Sequence, residues 1–309
     1  MRGSDRVFRP GAIQHIYQNT VDGFLIFYAV KDYLVLFSLI SIAARRYHVK
    51  VIGICMMPDH IHLLVIADRA EDLSSFVCYY TSIFVRYYNP TVNRSGQAFR
   101  HSFGSAMKVD DKRIRSAIAY LYNNLVEKQL ADTVESSRWN FLRYAVCCYP
   151  FSAPVNLART SRALRRAMEY IRLIRKDEQP LTYEMLSLLT HRLNAEEKRQ
   201  LTDYAIQQYN CIDYQAAIKY FGDYESMISA FNTTTGSEYG VGEVHHKESD
   251  AIYGTFTRIL LQQFPMSDIK DIFFLDEDER HALAAMLARE TRAPLFQIKK
   301  YLHLPSDER

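Results

Sequence analysis

Apolar positions in the first 130 residues switch between a period of two and a period of three to four. Residues 14–17 and 24–30 are rich in β-branched and aromatic side chains and flank Asn19, Asp22 and Gly23, which predicts two strands around a turn. Residues 31–47 are almost continuously apolar, with Asp32 near the start and Arg45 and Arg46 at the end. Such a run predicts a helix buried against a sheet, its charged ends complementing the helix dipole. Residues 49–57 and 60–66 are short apolar runs separated by Pro58 and Asp59, and so predict antiparallel neighbours joined by a tight turn. A second helix is expected over 72–88, closed by Asn89 and Pro90, then a strand or hairpin over 96–109 and a third helix over 111–130. The order β-α-β-β-α-β predicts an α+β domain with the ferredoxin-like split βαβ topology and one helix appended.

Beyond Pro154 the strand pattern disappears. Residues 156–176, 182–190, 195–209 and 213–231 all carry helical periodicity, residues 232–250 are polar and Gly-rich like a linker, and 251–304 turn helical again. The expected organisation is an α+β domain over 1–150, an α-helical C-terminal region over 151–231, a linker over 232–250 and a helical segment over 251–309. Within the last, one amphipathic helix, a break at 291–293 and a second helix opening at Pro294 resemble the first two helices of a helix-turn-helix; its base-reading third helix would begin after Ser306, where three residues remain.

Composition narrows the class. A hydrophobic content of 48% supports a packed core and excludes a disordered chain, and a net charge of +3 permits contact with a polyanion without requiring it. The five cysteines form no CxxC pair, which argues against a disulfide framework or a thiolate zinc site. The N-terminus has no apolar signal core, and the greasiest run, 33–44, is too short to cross a bilayer. A soluble cytoplasmic protein with no membrane partner is expected.

The segment MMPDHIHLLV places His60 and His62 two apart in a strand, so both imidazoles project from one face while Ile61 points the other way. Two neutral imidazoles are a common partial ligand set for a divalent cation. Alone, the pair also suits two ordinary histidines. In AIAYLYNNLV, Tyr120 and Asn124 lie four residues apart on one helix face, about 6 Å along the axis, offering a hydroxyl nucleophile and an amide oxygen. In a chain with 22 tyrosines, Tyr120 alone also suits packing.

The order of these pieces carries more than any one of them. His-hydrophobic-His after Met-Pro-Asp, a long helix ending in YYNP, then GQAF, YLYNNLV and SRWNF resembles the REP-associated tyrosine transposases, a branch of the single-tyrosine HUH transposases of the insertion-sequence-200-like kind. The resemblance spans roughly residues 10–145 and implies an HUH endonuclease fold. It implies that Tyr120, matching the tyrosine of the family's Tyr-Ile-His-x-Asn-Pro-Val helix, attacks DNA, and that His60, His62 and Asn124 hold Mg²⁺ or Mn²⁺. The chain departs from that pattern at Tyr122, where the family has histidine, and at Leu125, where it has proline; Tyr122 is thereby a rival nucleophile, facing another direction on the helix. The partner implied is single-stranded DNA, in particular the hairpin ends of a repetitive element. The broad group implies a homodimer, whereas the REP-associated branch also acts as monomers.

A phenol of ordinary acidity is about one part in a thousand ionised at pH 7, a deficit of roughly 4 kcal/mol that a metal-bound phosphate would offset. Phosphate contacts are expected from a basic tract over 138–176, in which Arg138, Arg143, Arg159, Arg162, Arg165, Arg166, Arg172, Arg175 and Lys176 face only Glu169. Tyr79, Tyr80, Phe84, Tyr87 and Tyr88 crowd the second helix as core, with any exposed ring available to stack on a base. Two further classes compete: a domesticated or inactive protein that binds DNA hairpins without cutting, and an RNA-binding ferredoxin-like domain. The second lacks the aromatic strand such domains use.

Overall fold

The computed structural model describes residues 8–100, 103–156, 158–233 and 248–305. Four strands, β1 (Ile13–Asn19), β2 (Lys50–Met57), β3 (His60–Ile66) and β4 (Gly104–Lys108), form an antiparallel sheet in the order β2-β3-β1-β4. With α1 (Val30–Arg46) after β1 and α2 (Ala70–Tyr88) after β3, this is the split βαβ arrangement read from the sequence. Period-two alternation decides which side chains go where. Ile16, Ile54, Ile61, Leu63 and Val65 point to the face covered by α1 and α2, while Ile13, Cys55, Met57 and Leu64 point to the other, covered by α3 (Asp111–Glu127).

Four expectations fail locally. Residues 24–29 form no strand: the amides of Ile26 and Phe27 both donate to the Pro58 carbonyl, so this apolar run is buried without a ladder. The helix expected over 213–231 is two, α7 (Tyr214–Ile218) and α8 (Tyr224–Thr233), separated at Gly222 with φ +95, a left-handed backbone that glycine adopts without strain. The strand or hairpin expected over 96–109 is confined to the single strand β4, and the helix expected over 156–176 starts only at Arg162 because Ser161 caps it, its hydroxyl accepting from the Leu164 amide.

The remaining helices build outward from the α1 face. α4 (Arg162–Lys176) packs on α5 (Tyr183–Thr190) and on α6 (Ala195–Tyr209), and both α5 and α6 pack on α1. Helices α9 (Ile252–Gln263), α10 (Glu277–Thr291) and α11 (Leu295–Leu302) contribute Phe256, Leu260, Leu287, Ile298, Tyr301 and Leu302 to the same core as α1 and α2. Each such fully buried side chain contributes about 1.5–3 kcal/mol. The expected two-helix unit is present as α10 and α11, hinged at Arg292 with φ +55; its third helix, like most of the expected linker at 234–247, falls outside the described residues. Among the described residues no helix is long and apolar enough to cross a membrane.

Candidate active site

His60 and His62 face α3 from alternate positions of β3, opposite Met57 and Cys55 on β2 and opposite Asn19 and Tyr17 on β1. Their rings stand at 86° to each other with centroids 5.0 Å apart. Across from them, Tyr120 projects from α3 onto the same face. Its ring meets His62 edge-on at 5.6 Å and His15 of β1 at 5.8 Å. Those are favourable edge-to-face geometries, in which a ring edge of positive potential meets a π face. The two parts of the motif, some sixty residues apart in sequence, thus converge on one spot because a strand and a helix pack face to face.

Each histidine is held through its Nδ1. That of His60 lies 2.6 Å from Asp59 Oδ1, and that of His62 lies 3.0 Å from His15 Nε2. Metal-binding histidines are ordinarily held in this way, the partner fixing the ring and leaving Nε2 as the ligand atom. Burial by itself would raise the Asp59 carboxyl, but His60 and the Lys300 ammonium, both paired to it, outweigh burial and hold it well below the usual carboxylate range. Lys300 belongs to α11, so the C-terminal helices reach the turn before the histidine pair.

Asn124, one turn beyond Tyr120, is buried, and its Nδ2 makes no hydrogen bond among the described residues. The orphan Nδ2 is a donor and cannot hold a cation, so a third ligand of the oxygen-amide type at this position would be Oδ1. Among the described residues there is no cluster of three or more His, Cys, Asp or Glu suited to a metal, so a cation here would need this amide and ligands from outside the chain. The donor set of two imidazoles, one amide and open positions fits Mg²⁺ or Mn²⁺ carrying substrate oxygens.

Tyr122 goes elsewhere. Its ring packs on Phe231, its hydroxyl lies 3.3 Å from where a Cβ on Gly53 of β2 would stand, and burial, with smaller effects from Tyr214 and Cys55, drives its acidity far below that of an ordinary phenol. A side chain on Gly53 would crowd both Leu121 and Tyr122. Leu125 is buried in the same core, and α3 runs past it to Glu127, which a proline there would disfavour.

The site is roofed. Tyr120 is 1% exposed and His62 fully buried, while His60 and Asp59 remain partly open. Residues assigned to the linker from sequence dock at the end of α3. The Asp250 amide donates to the Lys128 carbonyl at the end of α3, and Gln297 of α11 donates to the Ser249 carbonyl. Asp250 is itself buried; desolvation, then the neighbouring Asp59, raises its carboxyl pKa against the opposing pull of Lys300, Lys128 and His60.

The basic tract divides in two. Arg138 is engaged with buried Asp203, which also accepts from Tyr144, Ser152 and the Phe151 amide, and Arg143 pairs with Glu135 at 2.9 Å. Arg159, Arg162, Arg165 and Arg166 are exposed and make no ion pair among the described residues; the last three line the outer face of α4 with Tyr170. That face lies behind α6 and α1, on the side of the sheet opposite α3. On α2, Tyr80, Phe84 and Tyr88 are core, while Tyr79 and Tyr87 are half-buried beneath Arg46 and Arg86.

Sequence reading missed His15 and Asp250. The signal for His15 was present, since it lies on the odd-numbered face of β1 with Ile13 and Tyr17, but pairing β1 with β3 is a long-range fact. A family model described as "Transposase IS200 like" matches residues 27–124, a span that includes His60, His62, Tyr120 and Asn124 and excludes β1. Among solved structures, the chain is similar to a REP-associated tyrosine transposase bound to a REP hairpin, at 16% identity and a TM-score of 0.40, over 52% of this chain and 96% of that one. No curated protein matches the chain.

Proposed function

We propose that this chain, whose residues 27–124 match a transposase domain of the IS200-like kind, nicks and rejoins single-stranded DNA through Tyr120. The observation that carries the reading is the convergence of Tyr120 with His62 and His60 on one face of the sheet. In the reaction, the Tyr120 hydroxyl gives up its proton as its oxygen attacks the scissile phosphorus, the bond from phosphorus to the 3′ oxygen breaks, and the departing oxygen takes up one proton in exchange as a free 3′-hydroxyl. The other strand end stays on the enzyme as a 5′-phosphotyrosine, which the same or another 3′-hydroxyl can attack in reverse, so joining needs no nucleotide cofactor. Mg²⁺ or Mn²⁺, held by His60, His62 and Asn124, would supply charge neutralisation at the phosphate. Asp59 and His15 orient the imidazoles, and the apolar surroundings exclude water that would hydrolyse the adduct.

The substrate we assign is DNA with a hairpin, in keeping with the resemblance of the motifs to the REP-associated branch. The exposed arginines of α4 supply the charge to grip its backbone. Because they lie across the sheet from Tyr120, hairpin stem and scissile strand would occupy opposite sides of the domain.

A second reading, a hairpin-binding protein that does not cut, is favoured by one observation: Tyr120 at 1% exposure cannot meet a phosphate until the residues packed around it shift. One experiment separates the two. The protein is incubated with labelled single-stranded hairpin DNAs in Mn²⁺ or in chelator and run on a denaturing gel. A metal-dependent covalent band that disappears in Tyr120→Phe supports nicking, whereas tight hairpin binding with no band supports the reader.

A further inference from the structure

Granting the metal-dependent chemistry proposed above, we infer that His15 is a positioning residue that sets the tautomer of His62. His15 sits on β1, outside the segment matched by the transposase family, and is fully buried on the α3 face. Its Nε2 lies 3.0 Å from His62 Nδ1, with ring centroids 5.1 Å apart at 51°. At that separation one nitrogen donates a proton and the other accepts it. The chemistry of the site selects the direction. With the proton on His62 Nδ1, the in-plane lone pair of Nε2 is the ligand atom, and His15 accepts while carrying its own proton on Nδ1. The arrangement parallels the one on β3 two residues earlier, where Asp59 engages Nδ1 of His60.

The two partners differ in charge, and the difference has a physical consequence. Asp59 sits at the partly open end of the site, where Lys300 balances its charge. His62 is fully buried and in ring contact with Tyr120. Before a cation binds, a carboxylate in place of His15 would add a buried negative charge beside the Tyr120 phenol, and its own ionisation and that of the phenol would be opposed. A neutral imidazole fixes the ring without that charge. His15 also touches the Tyr120 ring, so one side chain on β1 sets the relation between ligand and nucleophile.

The test uses the full-length chain with ¹⁵N-labelled histidine, reading the His62 tautomer by long-range ¹H–¹⁵N NMR without metal and the Mn²⁺ affinity by calorimetry. The expected result is a His62 protonated on Nδ1 in the wild type. In His15→Phe that preference disappears and Mn²⁺ binds about 10–100-fold more weakly, with His15→Gln, which restores an acceptor, recovering most of the affinity. If the phenylalanine variant does not fold, His15→Asn, polar but too short to reach His62, takes its place. A wild-type His62 protonated on Nε2, or a variant lacking the acceptor with unchanged Mn²⁺ affinity, overturns the assignment. A wild type that binds no Mn²⁺ despite the Nδ1 tautomer instead overturns the metal-dependent reading on which it depends.

Discussion

Lys270 reaches across 238 residues of sequence to Asp32, the carboxylate that caps α1, in a pair from which water is excluded. Asp32 also accepts from the amides of Tyr28 and Ala29 and from the Tyr183 hydroxyl, so one buried carboxylate ties the start of α1 to α5 and to the segment before α10. Removing one partner of a buried pair leaves the other charge uncompensated, which typically costs about 3–5 kcal/mol. Lys270→Met is therefore expected to lower the free energy of unfolding in urea by about that amount. A decrease below about 1 kcal/mol would mean the pair is solvated in solution.

How much of this was legible in the sequence follows from the range of each interaction. The placement of His60 and His62 on one face needed only strand alternation, and that of Tyr120 with Asn124 only helical periodicity. Residues 24–29 misled because their composition is that of a strand, yet their amides serve the Pro58 carbonyl beneath α11, a contact from the far end of the chain. Asp250 was hidden for the opposite reason: it ends a polar, Gly-rich stretch, and only tertiary packing on α3 buries it. The basic tract was visible as charge, but which arginines were already spent on Asp203 and Glu135 was not.

The choice between the two tyrosines of α3 yields a prediction with opposite signs for activity and stability. Tyr120→Phe should abolish the covalent DNA adduct. Tyr122→Phe should keep it. The Tyr122 hydroxyl is buried with no hydrogen-bond partner among the described residues, so its removal relieves a desolvation penalty and should leave the protein as stable or about 1 kcal/mol more stable. An adduct that persists in Tyr120→Phe and maps to Tyr122 by mass spectrometry would reverse the assignment.

The exposed arginines of α4 predict weaker DNA affinity with the fold intact. Arg162, Arg165 and Arg166 are like charges at three- and four-residue spacings, so replacing all three with glutamine should leave stability unchanged or improve it by a few tenths of a kcal/mol. If they touch phosphates, hairpin binding should weaken and the slope of log K against log salt should flatten by about 0.7–0.9 for each phosphate no longer neutralised. An unchanged slope would show that α4 presents only a solvated face. Mn²⁺ affinity, set on the other side of the sheet, should not move.

His303, just after α11, gives the fold a pH dependence of predictable sign. Burial lowers its pKa from 6.5 to about 3, the Leu25 carbonyl 2.8 Å from Nε2 opposes that only in part, and Arg94 and Arg280 add to the lowering. The ring is packed on Phe273 and Phe24. Below pH 6.5 the unfolded chain binds a proton that the native state refuses, so stability is fully present above 6.5 and declines as pH falls toward 3, by about 1.4 kcal/mol per unit. The backbone of His303 has φ +54, a left-handed conformation that asparagine tolerates, and asparagine removes the titrating ring although its shorter amide does not reach the Leu25 carbonyl that Nε2 meets. Urea unfolding of His303→Asn between pH 6.5 and 4.5, a range above the titration of ordinary aspartates, should therefore show a markedly flatter pH profile than the wild type. Parallel profiles would place the acid sensitivity of the fold on another group and the His303 ring in contact with solvent.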